Sequence, residues 1–553
     1  MPTLNIFERC LTARLATKLG AVIGAAFLVT LTACGGGGSP DELTPASLGF
    51  QKIGGFDGAA IGAAEITAYD AQTRRLFVVN GANNTVDVVD LSDPTAPKRI
   101  ESISGVPFGA GINSVAVHDG LVAIAVEASP KTNPGRVAFF RASDLKLLSS
   151  VVVGSQPDMI TFTPDGTKLL VANEGEPNSY GLPDSVDPEG SITILTVNGG
   201  INPFPATADF RSYIGREAEL RAMGVRLYGP GANAAQDLEP EYIAVSADGK
   251  TAYVTLQENN AVAIVDINSA KVTDIRALGW KDHSIAGMGL DPSDEDAGVN
   301  TNTGTPTAKI VTAPVRGLYL PDAIASYSIN GATFLVTANE GDARADWPGF
   351  NEETRVRTHC DKGLDPTVFP DAANLILDSN LGRLRITSTP NGGSTGKNAA
   401  GLCTELYSFG SRSFSIWDSS LRRVYDSGDE FERRTQALEN VAFNASNDNN
   451  TLDSRSPAKG PEPEGVVIGR FGRKVIAFIG LERVGGVMAY DVTDPTKAVF
   501  MAYLNTRTGA TGDRGPEGLA LIPADRSPNG KPLLIVGNET SGTTAIFQIN
   551  LNY

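Results

Sequence analysis

The sequence predicts an all-β, seven-bladed β-propeller with loop insertions, whose N-terminal strand closes the last blade. Three observations predict it. One hairpin unit recurs seven times, its uninterrupted copies are spaced like four-stranded blades, and the chain ends one strand short of a full set. Sixty Gly and 33 Pro in a 41% hydrophobic chain agree with many short strands joined by turns.

The unit is clearest in two places. Residues 158–162 lead through the Asp165-Gly166 turn into 169–174, and residues 241–245 lead through Asp248-Gly249 into 252–258. A third strand follows each, at 191–197 and 261–267. β-Branched alternation around Asp-Gly is the hairpin signal. Degenerate copies begin at Glu65, Asn113, Asp322, Glu464 and Glu517. The uninterrupted intervals are 48, 45 and 53 residues, one blade each, and those of 83, 81 and 142 carry insertions. The insertions fall near 198–238, 281–318, 342–405 and 432–462. Residues 342–385 and 432–462 are rich in Asn, Asp, Gly, Ser and Pro without periodic apolar content, and the insertions are expected to be loops on one face rather than domains. Alternation returns at 406–417 and 422–427, which should complete the fifth blade. The last unit supplies strands at 517–522, 533–539 and 544–551, and residues 47–53 can add the missing outer strand. The propeller then spans 47–553 and leaves no unpaired edge at its seam. Separate β-sandwich domains would not repeat one hairpin signature seven times.

The first 33 residues read as a signal peptide rather than structure. Arg9, Arg14 and Lys18 precede an apolar stretch from Leu19 to Leu31, which is short for a membrane span. Leu31-Thr32-Ala33-Cys34 then looks like a bacterial lipobox, which implies that Cys34 becomes a lipid-modified N-terminus. Residues 34–46 follow as a flexible tether. Gly35 after the cysteine resembles lipoproteins of the outer membrane. Cys10 leaves with the signal, so Cys360 and Cys403 remain as an even pair in an oxidising compartment, with a disulfide as the default reading.

A net charge of -17 argues against nucleic acid, whose binding needs clustered Lys and Arg, and suits cationic partners. In a propeller the residue opening each first strand and the one ending each second strand share one axial mouth. Around the ring these pairs are Glu65/Asn80, Asn113/Glu127, Asp158/Glu174, Glu241/Glu258, Asp322/Glu340, Glu464/Glu482 and Glu517/Glu539. Twelve of the fourteen are carboxylates, although acids fill 63 of 553 positions, so chance is a poor account. Gathered carboxylates repel one another unless a cation compensates, and Ca2+ takes six to eight oxygen ligands. The candidate metal ligands are Asp158, Glu174, Glu241, Glu258, Asp322, Glu340, Glu464, Glu482, Glu517 and Glu539. The competing view is that the acids cap blade edges beside Arg344, Arg483 and Arg514.

Other motifs carry less. Three histidines in unrelated settings do not suggest a zinc site or a Ser-His-Asp triad. Gly392 to Gly396 matches G-x-S-x-G but lies in a Pro/Asn/Gly loop with no helix after it. The glycines at 229–231 lack the βαβ unit of a dinucleotide site.

Pro157 through Pro177, Leu320 through Arg344, Tyr407 through Asp418 and Gly460 through Val467 together resemble the choice-of-anchor I family. That family is related to the mesenchyme-specific cell-surface glycoproteins of biomineralising animals, and some bacterial members are called atypical alkaline phosphatases. The resemblance implies a surface location and a β-propeller, with the lipobox as this chain's anchor; it supplies no catalytic set. The expectation is an outer-membrane or cell-surface lipoprotein, held by lipid at Cys34, that binds divalent cations and an extracellular ligand at the acidic mouth. The alternative is a metal-dependent phosphoesterase with Arg344 or Arg483 as phosphate clamp and an axial Glu as base. A lactonase-like hydrolase would rest on fold analogy alone.

Overall fold

The computed structural model describes residues 44–296, 307–345, 347–390 and 394–553. The signal peptide, Cys34, most of the tether and two glycines of the G-x-S-x-G match lie outside the described residues. Among the described residues, no helix is long and apolar enough to cross a membrane.

Asp-Gly turns set the hairpins. At the turn between Pro157–Phe162 and Lys168–Asn173, Asp165 accepts from the Thr163 hydroxyl (2.7 Å) and the Thr167 amide (3.1 Å), while Gly166 takes φ 67°. A side chain at that φ is strained, so the Asp caps the turn and the Gly makes it possible. Asp119-Gly120 and Asp248-Gly249 turn two further hairpins and Asn330-Gly331 another, and with hairpins of other turn types they build seven four-stranded antiparallel sheets in chain order. Their first strands are Thr67–Asp70, Gly111–His118, Pro157–Phe162, Ile243–Val245, Ile324–Ile329, Pro463–Phe471 and Pro516–Ile522.

Alternation gives each inner strand two apolar faces, and the core forms where the faces of successive sheets meet. There are seven such layers. Val79 and Val86 meet Ile124, Phe139 meets Leu169, and Ile192 meets Val254. Tyr253 meets Leu335, Val336 meets Ile479, and Phe478 meets Val536. The seventh layer packs Leu533 and Ile535 against Leu76 and Val78, so the last sheet touches the first and the ring closes. Removing one such buried aliphatic side chain costs about 2–5 kcal/mol. The closure is also covalently distant. Ser47–Asp57 is the outer strand of the last sheet, antiparallel to Thr543–Asn552, with Ser47 opposite Asn552. It runs four residues beyond the segment expected from sequence.

The insertions differ from the expected loops in two respects. Residues 198–238 hold Phe204–Asp209, the outer strand of the third sheet, and a helix, Glu217–Ala222, whose Leu220 joins the layer to the fourth. The insertions near 281–318 and 342–405, with Tyr407–Ser408 from the segment expected in the fifth blade, form an eighth, five-stranded sheet from Trp280–Asp282, Arg316–Leu318, Tyr407–Ser408, Arg385–Thr387 and Glu353–Arg355. It has its own apolar cluster, including Val315, Val356, Leu384 and Leu406, beside a disulfide between Cys360 and Cys403. These apolar residues are scattered without a period, which is why composition hides the core they make. Phe414–Asp418 and Arg423–Asp426 complete the fifth sheet.

Candidate functional site

Every hairpin returns its second strand to the end where the first began. The Glu241 amide donates to the Thr255 carbonyl (3.1 Å), Glu174 to Gln156 (3.0 Å), Glu482 to Glu462 (2.8 Å) and Glu539 to Gly515 (2.7 Å). The backbone therefore brings the two acidic columns to one mouth. Glycine lets the first strands crowd the axis. A Cβ at Gly465 would lie 2.1 Å from the Glu517 carbonyl oxygen, and one at Gly518 2.4 Å from that of Glu65. The Glu464-Gly465 and Glu517-Gly518 pairs are thus an acid aimed at the channel and the space that admits the neighbouring strand. A small cavity of about 50 Å3 on the axis is lined by all seven sheets, through Ile66, Asn113, Asp158, Tyr242, Asp322, Gly465 and Glu517. A larger cleft of about 510 Å3, between Asp70, His118, Ile522 and Arg526, lies at the opposite ends of the first strands, away from the acids.

The carboxylates form two tiers. The inner tier comes from the first strands: Glu65, Asp158, Glu241, Asp322, Glu464 and Glu517. Among the described residues, none of the six makes an ion pair with a Lys or Arg. One oxygen each of Glu241, Glu464 and Glu517 is shut off from solvent and has no hydrogen-bond partner. Burial, then neighbouring acids, hold these groups in their protonated form far above the ordinary carboxylate range. Glu65 is pushed to about 8 by burial, Glu539 and Asp158, and Asp158 to about 7 by burial, Glu176 and Glu127. Glu241, Asp322, Glu464 and Glu517 are raised as well, each by burial first and then by one another and the outer tier. Asp158 and Asp322 both act on Glu517 across the ring, so the tier behaves as one titrating unit.

The outer tier comes from the second-strand ends, and part of it is neutralised. Lys459 Nζ bonds Glu340 Oε1 (2.6 Å) and lies 3.3 Å from both Glu462 and Asp342. Gln257 donates to the other oxygen of Glu340 (2.8 Å). Arg483 reaches Glu462 Oε2 (2.9 Å) and Glu482 Oε1 (3.0 Å), and Arg455 also pairs with Glu462. Glu340, Glu462 and Glu482 bring carboxylate oxygens within 4.8 Å of one another, the spacing of a metal cradle. A tethered ammonium already serves it. On the other side Glu174 accepts from Gln156, which also bonds Glu176 (2.7 Å), itself paired with Lys131 (2.5 Å). Glu258 is raised to about 7 by burial, against the pull of Arg344. For Glu539 the structure gives no pairing cation.

Arg344 and Arg483, the candidate phosphate ligands, are committed elsewhere. Arg344 is 2% exposed; it pairs with Asp237 and Glu239 and lies 4.7 Å from the Tyr228 ring centre. Arg226, paired with Glu352, covers the same ring at 4.3 Å. Each guanidinium is spent on carboxylates, leaving no open fork for a phosphate. Sequence reasoning missed Glu462, Lys459 and Glu239. Glu462 stands two residues before Glu464 in a Pro-Glu-Pro-Glu run, a visible signal, but nothing local says that Lys459 turns inward.

With fold and site described, comparison with known proteins gives the family. The choice-of-anchor I domain matches residues 65–495, and the chain belongs to that family. It is 30% identical over 191 residues to Gigasin-3a of Magallana gigas, which covers 31% of this chain and 66% of that protein. It is 28% identical over 313 residues to a mesenchyme-specific cell surface glycoprotein of Strongylocentrotus purpuratus, covering 49% of this chain and 38% of the relative. The chain thus spans just under two thirds of one relative and well under half of the other. Among solved structures, the WD40 domain of Toxoplasma gondii coronin aligns with TM-score 0.46 at 8% identity, over 93% of this chain and 90% of that one. Kuenenia stuttgartiensis hydrazine synthase aligns with TM-score 0.44 at 13% identity, over 88% and 96%.

Proposed function

We propose that this member of the choice-of-anchor I family is an exported surface-binding module that takes up a divalent cation, Ca2+ by ligand chemistry, at the inner carboxylate tier. One observation carries the reading: six channel acids have no ion-pair partner among the described residues, three of them (Asp158, Asp322 and Glu517) line one axial cavity, and Glu241, Glu464 and Glu517 each bury an oxygen that nothing satisfies. An uncompensated buried carboxylate is costly, and a hard cation with oxygen preference removes that cost. The likeness to a cell surface glycoprotein and the Leu-Thr-Ala-Cys34 sequence support a lipid-anchored position at the outer membrane or cell surface. Binding is preferred to phosphoester hydrolysis because Arg344 and Arg483 are engaged with carboxylates.

Melting in the presence of metal tests the reading. Ca2+ binds only the folded ring and should raise the melting temperature, and Glu464→Gln with Glu517→Gln should abolish the rise. A wild-type melting temperature indifferent to millimolar Ca2+, Mg2+ and Mn2+ would sink it. For the anchor, Cys34→Ser should release a folded protein that no longer incorporates labelled palmitate.

A further inference from the structure

A second group of acids lies away from the axis, between the inserted segments. Asp291, Glu432 and Asp453 are each no more than 1% exposed. One guanidinium reaches this group: Arg412 Nη1 bonds Glu432 Oε1 and the Asp291 carbonyl, both at 2.7 Å. Neighbouring Asp294 and Glu295 are taken by Arg383. Among the described residues neither Asp291 nor Asp453 forms an ion pair; backbone amides of Ser293 and Lys309 bond Asp291, and the Ser456 hydroxyl bonds Asp453 Oδ1.

Side-chain heads from the loop at 444–456 converge on that hydroxyl. Asn444 Nδ2 donates to Ser456 Oγ (2.8 Å) and to Glu432 Oε1 (2.8 Å). The Glu432 carboxylate fixes the orientation of the amide, because a flipped Asn444 would set oxygen against oxygen. Its Oδ1 therefore points away from Glu432, and it has no donor. Asp453 Oδ2 also has none, although both residues are fully enclosed. Two buried acceptors without donors, in a knot whose negative charge exceeds its positive charge, are the complement of a small hard cation.

We propose that Asp453 and Asn444 are side-chain ligands of a divalent metal ion seated between the 291–296 and 444–456 segments, with Asp291 adding charge and water completing the shell. Both ligands lie in the 444–456 loop, so the ion would hold that loop closed. The same loop also touches the mouth, where Arg455 pairs with Glu462 and Asn447 donates to Glu482 (2.7 Å), so a variant of the mouth is needed to separate the two sites.

Hydrogen exchange read by mass spectrometry tests it on the metal-stripped mature protein, with and without millimolar Ca2+ or Mg2+. The Asp453 and Arg455 amides bond the Phe443 and Asn444 carbonyls, so the peptide spanning 443–456 reports on the loop. In wild type, and equally in the Glu464→Gln/Glu517→Gln mouth variant, one of the cations should slow exchange there by about tenfold. Asp453→Asn, which has the shape of a protonated carboxyl, should remove the effect. Exchange unchanged by either cation in wild type would overturn the proposal, since a proton on Asp453 would then satisfy the knot. So would an Asp453→Asn protein that responds like wild type.

Discussion

Glu462 and Glu464 are two residues apart and end in opposite electrostatic states. Burial would raise both. At Glu462 it is overcome by Lys459, Arg455 and Arg483, which hold the carboxyl far below its ordinary range. At Glu464 burial is joined by Glu482, Glu517, Asp322 and Glu340, all raising it, and no cation answers. A local turn explains the divergence: Glu462 precedes the strand Pro463–Phe471 and takes φ 51°, so it faces the cations while Glu464, inside the strand, faces the channel. What decides a buried acid's role is the sign of what faces it, more than its depth. The paired acids belong to the scaffold, and the unpaired ones are free to take a ligand.

The largest effect should come from breaking the paired side. Arg344→Met strands Asp237 and Glu239 as buried unpaired charges and should cost about 3–5 kcal/mol in urea unfolding. A phosphate clamp, by contrast, could be removed with little loss of stability. Lys459→Met should cost less, about 2 kcal/mol, because Arg455 and Arg483 still hold Glu462; a neutral result would mean that the ammonium is not integral to the paired side. The unpaired side should respond with the opposite sign. Glu464→Gln with Glu517→Gln should leave the metal-free protein at least as stable as wild type, with a gain of about 1 kcal/mol as repulsion is relieved. A marked loss would show that these carboxylates hold structure. The smallest effect concerns pH. With Asp158 raised to about 7 and Glu65 to about 8, the folded protein binds more protons than the unfolded chain above the ordinary carboxylate range. Their contribution is full near pH 4 and is lost as pH rises through 7–8, so the metal-free melting temperature should drift down from pH 5 to 8. Ca2+ should flatten that drift, since it replaces the missing protons. Glu462 works in the other direction, adding stability at neutral pH that is lost only in strong acid.

Much of this was legible because a propeller repeats. Seven hairpin starts placed the ring, and the column positions placed Glu241, Glu464 and Glu517 at the axis without any contact being known. Repetition stops at the insertions, and legibility stops with it. Val315, Val356 and Leu384 share one cluster, yet they sit far apart in the chain with no periodic spacing, so the five-stranded sheet left no trace in the sequence pattern. The cations were hidden for the same reason. Lys459 and Arg344 lie in insertions, where an inward turn depends on long-range packing, and the Arg226–Tyr228–Arg344 stack needs partners more than 100 residues distant. The Asp-Gly turns, by contrast, are local chemistry and could be read directly.

The seam gives the protein a clock. Ser47 sits opposite Asn552, and the Ala46 amide bonds the Asn552 carbonyl at 2.7 Å, so the last sheet takes three strands from the end of the chain and one from the beginning. Six sheets can assemble while the chain is still being made. The seventh must wait for the final residues, and until then the apolar layers on both sides of the gap, at Leu76 and at Phe478, lie open to water. Losing the strand Thr543–Asn552 would therefore remove more than one strand: the strand at 47–57 would lose the partner it pairs with, and the last sheet would be cut to Pro516–Ile522 and Leu533–Asn538.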